Sequence, residues 1–247
     1  MNFILKIASY PLTILYYIFF GLALLFFHPT QWLALKIGGY NPHRMTVAIL
    51  NLCLTRFLHI LGSKISFNNI NRIPKDVPLI IVANHQSMND IPAIIWFLRK
   101  LHPKFVSKKE LGKGIPSVSY NLRHGGSVLI DRKNAKQSIS AITNFGKYIE
   151  KNNYAAMIFP EGTRSKNGAP KRFSENGFKM LVKTIPSAYV IPITINNSWR
   201  FLKHGGFPLR LGVHLKFDIH DPIKADSLPF KDLFEKTEKT IKNAVVL

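Results

Sequence analysis

The chain has 247 residues, 47% hydrophobic and 12% aromatic, which suffices for one domain of ordinary size plus an additional apolar element and excludes a disordered or linker protein. Thirty-four Lys and Arg against thirteen Asp and Glu give a formal charge of +21, so the expected partners are anionic: nucleic acid, acidic lipid headgroups or an acidic carrier protein. The basic residues are scattered, and no RNP-type aromatic pattern, zinc-finger spacing or basic heptad region is present, so nucleic acid is set aside.

In chain order, the first element is an uncharged segment from Ala8 to Phe27, apolar all round. As a helix it would be roughly 30 Å long, the thickness of a hydrocarbon core. A signal peptide would have a shorter apolar region and a small-x-small cleavage site, and a core helix this apolar would need a larger domain around it. Pro29 and Gly38-Gly39 are expected to break the chain before a second apolar stretch, Met45 to Leu61. There Asn51, Thr55 and His59 recur every four residues, with Arg56 widening the stripe. Two readings stay open: an amphipathic helix at the membrane interface, or the polar-striped partner of the first helix in a hairpin. Lys and Arg flank the first helix on both sides, so crossing the bilayer and dipping into it are equally open. Residues 1–62 thus read as membrane-anchoring helices and 63–247 as the catalytic domain. The single cysteine, Cys53, lies in this apolar run; it excludes an intrachain disulfide and a cysteine-cluster metal site, no metal is expected, and the catalytic part is expected to face a reducing cytoplasm.

After Gly62 the pattern changes to short apolar runs alternating with helical stretches. Strands are predicted at Leu79–Ala83, Ser127–Ile130, Ala155–Phe159, Ala188–Ile195 and Gly212–Phe217. Helices are predicted at Asp90–Arg99, Ala135–Lys151 (apolar at Ile139, Ile142, Phe145 and Ile149), Ser174–Lys183 and Phe230–Ala244. This alternation predicts an α/β domain with a mixed, largely parallel sheet covered by helices on both faces. Sites in such sheets form at the carboxyl ends of strands. Two polar sequences follow apolar strands directly: Asn84-His85-Gln86-Ser87, and Pro160-Glu161-Gly162-Thr163-Arg164-Ser165.

Four residues separate His85 from Asp90. An alcohol becomes a good nucleophile when a base takes its proton as it attacks, and imidazole suits that task near neutral pH. A carboxylate on the other ring nitrogen fixes the tautomer, as in the serine-protease arrangement, with the substrate here supplying the hydroxyl. The spacing alone is weak, since Asp90 could merely cap a helix and His85 satisfy a turn. In the second sequence, glycine allows close backbone approach, Thr163 and Ser165 add hydroxyl donors, and Arg164 offers a planar fork for phosphate oxygens; a turn with solvated charges is the plainer reading. Gly126-Ser127-Val128-Leu129-Ile130-Asp131-Arg132 places another arginine just past a strand, where it could equally form a surface ion pair.

Together these blocks make the chain recognisable. It resembles the glycerolipid acyltransferase family that includes 1-acylglycerol-3-phosphate O-acyltransferases, through Asn84-His85 with Asp90, Gly126 to Arg132, Phe159 to Ser165, and Val190-Ile191-Pro192-Ile193 in order. Lesser matches are Lys109-Glu110-Leu111, Pro116, Phe173, Gly177 and Pro222-Ile223, so the likeness runs from about Pro78 to Ile223. It implies that His85 and Asp90 form a catalytic dyad, that Arg132, Glu161, Gly162, Thr163 and Arg164 bind a glycerol phosphate, and that Pro192 belongs to a block tied to the acyl donor. It also implies a membrane-bound O-acyltransferase on the cytoplasmic face of the inner membrane. A lysophospholipid would be the acceptor, 1-acyl-sn-glycerol 3-phosphate giving phosphatidic acid first among them, with acyl-CoA or acyl carrier protein (ACP) as co-substrate and no other cofactor. The region after Asn197, with Trp199-Arg200-Phe201 and Lys203-His204-Gly205-Gly206, points to no particular acceptor. Oxyanion donors are expected among the backbone N–H groups of the turn after His85.

Overall fold

The computed structural model describes residues 3–247. Its first helix, α1 (Phe3–Gly38), runs unbroken for 36 residues, because Pro29 does not interrupt it. A proline inside a helix removes one N–H and leaves a carbonyl on the preceding turn without its usual donor. Side chains bond neighbouring carbonyls on that turn: Thr30 Oγ1 donates to Phe26 O at 2.8 Å, and Ser117 Oγ to Leu24 O at 2.6 Å. The chain reverses instead at Gly39, whose φ of 72° suits a residue without a Cβ.

The next helix, α2 (Tyr40–Phe57), packs back along α1. Both bury polar residues beside the apolar cluster of Ala23, Leu24, Leu50 and Leu54 through which they meet. The buried positions of α1 include Ser9, Thr13, Tyr16 and Gln31, while Ile14, Ile18, Leu22, Leu25 and Phe26 are between 51% and 67% exposed. In α2 and just past it the polar stripe divides: buried Asn51 and Thr55 bond Val47 O and Asn51 O, whereas Arg56 and His59 are exposed, as are Met45 and Ile49. The packing of α2 along α1 gives the hairpin of the second reading.

The remaining elements are β1 (Lys64–Asn68), β2 (Leu79–Ala83), α3 (Asp90–Phe97), β3 (Pro103–Lys108), α4 (Val118–His124), β4 (Val128–Ile130), α5 (Ala135–Asn152), β5 (Ala155–Ile158), α6 (Glu175–Thr184), β6 (Tyr189–Asn196), β7 (His214–Ile219), β8 (Ile223–Lys224) and α7 (Phe230–Asn243). They build one mixed sheet in the order β1-β7-β6-β2-β5-β3-β4, with β8 also on β6. Pairing is parallel from β6 through β4 and between β1 and β7, and antiparallel where β7 and β8 meet β6. The predicted fold class is thereby borne out.

Every residue of β2 is buried, as a strand covered on both faces requires. Leu79, Ile81 and Ala83 pack with Tyr16 of α1 and Ile94 of α3, whereas Ile80 and Val82 join Ile142, Phe178 and Ile241 of α5, α6 and α7. The hairpin therefore lies over one face of the sheet and the three later helices over the other.

Candidate active site

As β2 ends at Ala83, the Asn84 side chain takes over the pairing with β6. Its amide donates to Ile195 O at 2.8 Å and its oxygen accepts from Ile195 N at 2.7 Å. This backbone-like bond pair fixes the direction in which His85 leaves the carboxyl end of the central strand.

Asp90, the first residue of α3, is fully buried. Its Oδ2 accepts from His85 Nδ1 at 2.8 Å, from Gln86 N at 2.8 Å and from Ser87 N at 3.0 Å. With Nδ1–H donating to Asp90, Nε2 is the ring's free acceptor, and it makes no hydrogen bond among the described residues. The ring stacks on Phe159 with centroids 4.2 Å apart, and the side chain remains 17% exposed. Because the Gln86 and Ser87 N–H groups are committed to Asp90, and that of Asn89 to Ser87 Oγ, these three amides of the turn supply no oxyanion donor. Two of the three thus hold the carboxylate in place of an oxyanion.

The third block closes over this turn. Glu161 Oε1 accepts from His85 N at 2.8 Å and Oε2 from Lys171 N at 2.9 Å, while Ser165 N donates to His85 O at 2.8 Å. Both backbone groups of His85 are thus held by a segment far along the chain. Burial pushes the Glu161 carboxyl up, and the N–H bonds from Lys171 and His85, with the charges of those residues, oppose the rise. Arg132 Nη1 donates to Gly162 O, docking the second block onto the third. Gly162 has φ of 70°, and a Cβ there would lie 3.2 Å from that guanidinium nitrogen. Burial lowers the Arg132 pKa and Glu110 opposes it; an arginine stays cationic at neutral pH regardless. Thr163 and Arg164 are exposed, and the Arg164 guanidinium makes no hydrogen bond among the described residues.

His85, Asp90, Glu161, Gly162 and Arg132 are therefore linked in one network, with Thr163 and Arg164 beside it. Pro192 is not part of it. It is buried within β6, level with Val82, between the residues paired with β8 and those paired with β7, where a missing N–H disrupts the ladder least. No group of three or more His, Cys, Asp or Glu side chains placed to hold a metal occurs among the described residues.

Several contacts of the site leave no sequence signal. Ser87 Oγ lies 2.5 Å from Ser198 Oγ, Gln86 Nε2 donates to Gly168 O at 3.2 Å, and Tyr16 Oη of α1 donates to Asn89 Oδ1 at 3.0 Å. The last bond ties the apolar helix to the residue before Asp90. Tyr16→Phe should leave the buried Asn89 oxygen without its donor and lower stability by about 1–3 kcal/mol, read as a fall of a few degrees in Tm in detergent.

The model of the family described as Acyltransferase matches residues 64–196. The chain is 28% identical over 169 residues to a chloroplastic 1-acyl-sn-glycerol-3-phosphate acyltransferase of Arabidopsis thaliana, covering 67% of this chain and 46% of that one. It is 26% identical over 181 residues to a 1-acyl-sn-glycerol-3-phosphate acyltransferase of Borreliella burgdorferi, covering 71% and 70%. The fold matches the crystal structure of the 1-acyl-sn-glycerophosphate acyltransferase PlsC from Thermotoga maritima with a TM-score of 0.80 at 24% identity, over 97% and 95% of the two chains. The chain spans about half the length of curated relatives such as the plant protein. Since the matched segment exceeds half of the chain and contains all four motif blocks, the protein belongs to the acyltransferase family.

Proposed function

We propose that this protein transfers a fatty acyl group from an acyl thioester, acyl-CoA or acyl-ACP, to the free hydroxyl of 1-acyl-sn-glycerol 3-phosphate, giving phosphatidic acid. The observation that carries this reading is His85: its Nδ1 is held by Asp90, its Nε2 is unbonded, and its backbone is clamped to a segment that bears Arg164 and on which Arg132 docks. The acceptor phosphate sits against Arg132 and Arg164, and Nε2 takes the hydroxyl proton as the oxygen attacks the thioester carbonyl. The new C–O bond forms, the C–S bond breaks, and the proton passes from the imidazolium to the departing thiolate. Holding the phosphate turns a two-body encounter into a positioned one. Glu161 acts indirectly, since both its oxygens are occupied by backbone N–H groups. Pro192 acts through the sheet, next to the strand that carries His85.

The exposed apolar face of the hairpin supports a membrane location. An outward apolar face with polar residues packed inside is the pattern expected where the surrounding solvent is lipid. α1 and α2 are both long and apolar enough to cross a bilayer, yet α1 is bonded along its length to residues of the α/β part: Thr13 to Leu209, Tyr16 to Asn89, Leu24 and His28 to Ser117. A helix so docked lies in the plane of one leaflet, on the cytoplasmic side, and delivers the acceptor with its tail still in lipid.

The purified protein, assayed with a panel of lysophospholipids against acyl-CoA and acyl-ACP donors, should favour lysophosphatidic acid; equal rates on acceptors lacking a terminal phosphate monoester would overturn the assignment. Arg164→Ala should raise KM for the phosphate-bearing acceptor by about 10–100-fold with a smaller change in kcat, consistent with a charge-assisted bond made in the ground state as well as the transition state.

A further inference from the structure

Buried charges in folded proteins are paired, and the clearest departure here lies at the end of the sheet opposite His85. Lys104 is the second residue of β3, in register with Ala156 near the start of β5, whereas His85 follows the carboxyl end of β2. Lys104 is only 5% exposed. Its ammonium makes no hydrogen bond or ion pair among the described residues, and lies 4.7 Å from the centre of the Tyr40 ring and 5.6 Å from that of Tyr154.

It borders a cavity between α2, the end of α3 and the start of β3, whose lining includes Tyr40, His43, Arg44, Arg99 and His102 and contains no Asp or Glu. Arg44 Nη1 donates to Arg99 O at 3.2 Å, and Arg99 Nη1 to Trp96 O at 2.8 Å. Neither arginine pairs with a carboxylate among the described residues. Arg44 Nε and His43 Nε2 are buried with no partner there. Burial, with Arg44 adding to it, pushes the Lys104 amine down to about 8, and burial with Arg44 and Lys104 pushes His102 down to about 4.

Three cationic side chains, two of them forked guanidinium groups, thus line one small cavity, with the buried Arg44 Nε unpartnered among the described residues and no Asp or Glu in the lining. A tetrahedral oxyanion matches both the charge and the donor geometry. We propose that this cavity binds a phosphate group at a site separate from the acceptor site at Arg132 and Arg164. The shared chemistry is a phosphate ester or free phosphate, and an anionic phospholipid headgroup is the source within reach: Met45 and Ile49, on the same helix as Arg44, belong to the outward apolar face.

The test uses the full chain in nonionic detergent with Arg132 and Arg164 both changed to Ala, so that the acceptor site is silent. Inorganic phosphate titrated at fixed ionic strength should give a saturable rise in Tm, roughly 5–10 °C at one-hundredfold above Kd. Lys104→Met and, independently, Arg44→Gln on the cavity wall should each weaken that binding at least about tenfold. A second arm compares mixed micelles carrying phosphatidylglycerol with micelles carrying phosphatidylcholine. A rise specific to phosphatidylglycerol and lost in both variants identifies a lipid headgroup as the ligand, and a rise with inorganic phosphate alone identifies the free anion; both support the site. No saturable shift with either probe, or a shift that both variants retain, overturns it.

Discussion

Replacing His85 with Ala should reduce acyl transfer by about 10²–10⁴-fold in kcat, the range expected when a positioned general base is removed, while leaving the fold and membrane sedimentation unchanged. The expectation of intact structure has a local basis. Asp90 loses one of three N–H donors to Oδ2 but keeps Gln86 N and Ser87 N, and the clamp on residue 85 uses backbone groups that alanine retains. Asp90→Asn should cost a similar factor, because the amide no longer holds the imidazole in the tautomer with a free Nε2. Transfer above about one-tenth of the wild-type rate in His85→Ala, where the loss of a general base requires more, would eliminate the dyad.

Glu161→Ala should damage both rate and stability. It leaves the N–H groups of His85 and Lys171 without their acceptor; Lys171 is exposed and its N–H can turn to water, so the loss at His85 dominates and unfolding free energy should fall by about 1–3 kcal/mol. The His85 turn then loses one of its two anchors to the third block, and a displacement near 1 Å at a catalytic group can cost on the order of 100-fold. The combination is diagnostic. A residue that only contacted the acceptor phosphate would raise KM and leave unfolding unchanged; a clamp lowers kcat and Tm together, with Glu161→Gln intermediate because it keeps one carbonyl acceptor. Steady-state kinetics and thermal unfolding on the same preparations separate the two.

Much of this was readable from residue pattern alone, for identifiable reasons. The strands β2, β5 and β6 are buried on both faces and read as continuous apolar runs, and α5, α6 and α7 each carry one apolar face. The strands β1 and β3 escaped notice because β1 begins with lysine and ends with asparagine, and β3 carries Pro103, Lys104 and Lys108, of which Lys104 is itself buried. The seven-residue α4 contains Asn, Arg and His in place of an apolar stripe. Ile139, expected on the inner face of α5, is 49% exposed in its second turn. Within the site, the motif blocks announce His85, Asp90 and the third-block residues. Tyr16 and Ser198 are not announced, because each acts through a single polar atom placed by tertiary structure.

The anchoring of the His85 turn also bears on how the molecule is assembled. Glu161 lies 76 residues beyond His85, and Ile195 lies 111 residues beyond Asn84; β2 has no sheet neighbour earlier in the chain, only β5 and β6. Such distant pairings make folding slow, since loop closure must precede the contacts that repay it. A nascent chain can emerge with His85 and Asp90 side by side in sequence and the apolar hairpin already made, and still lack an organised reaction centre until β6 has been synthesised. Synthesis of the apolar hairpin therefore precedes catalytic competence by most of the chain.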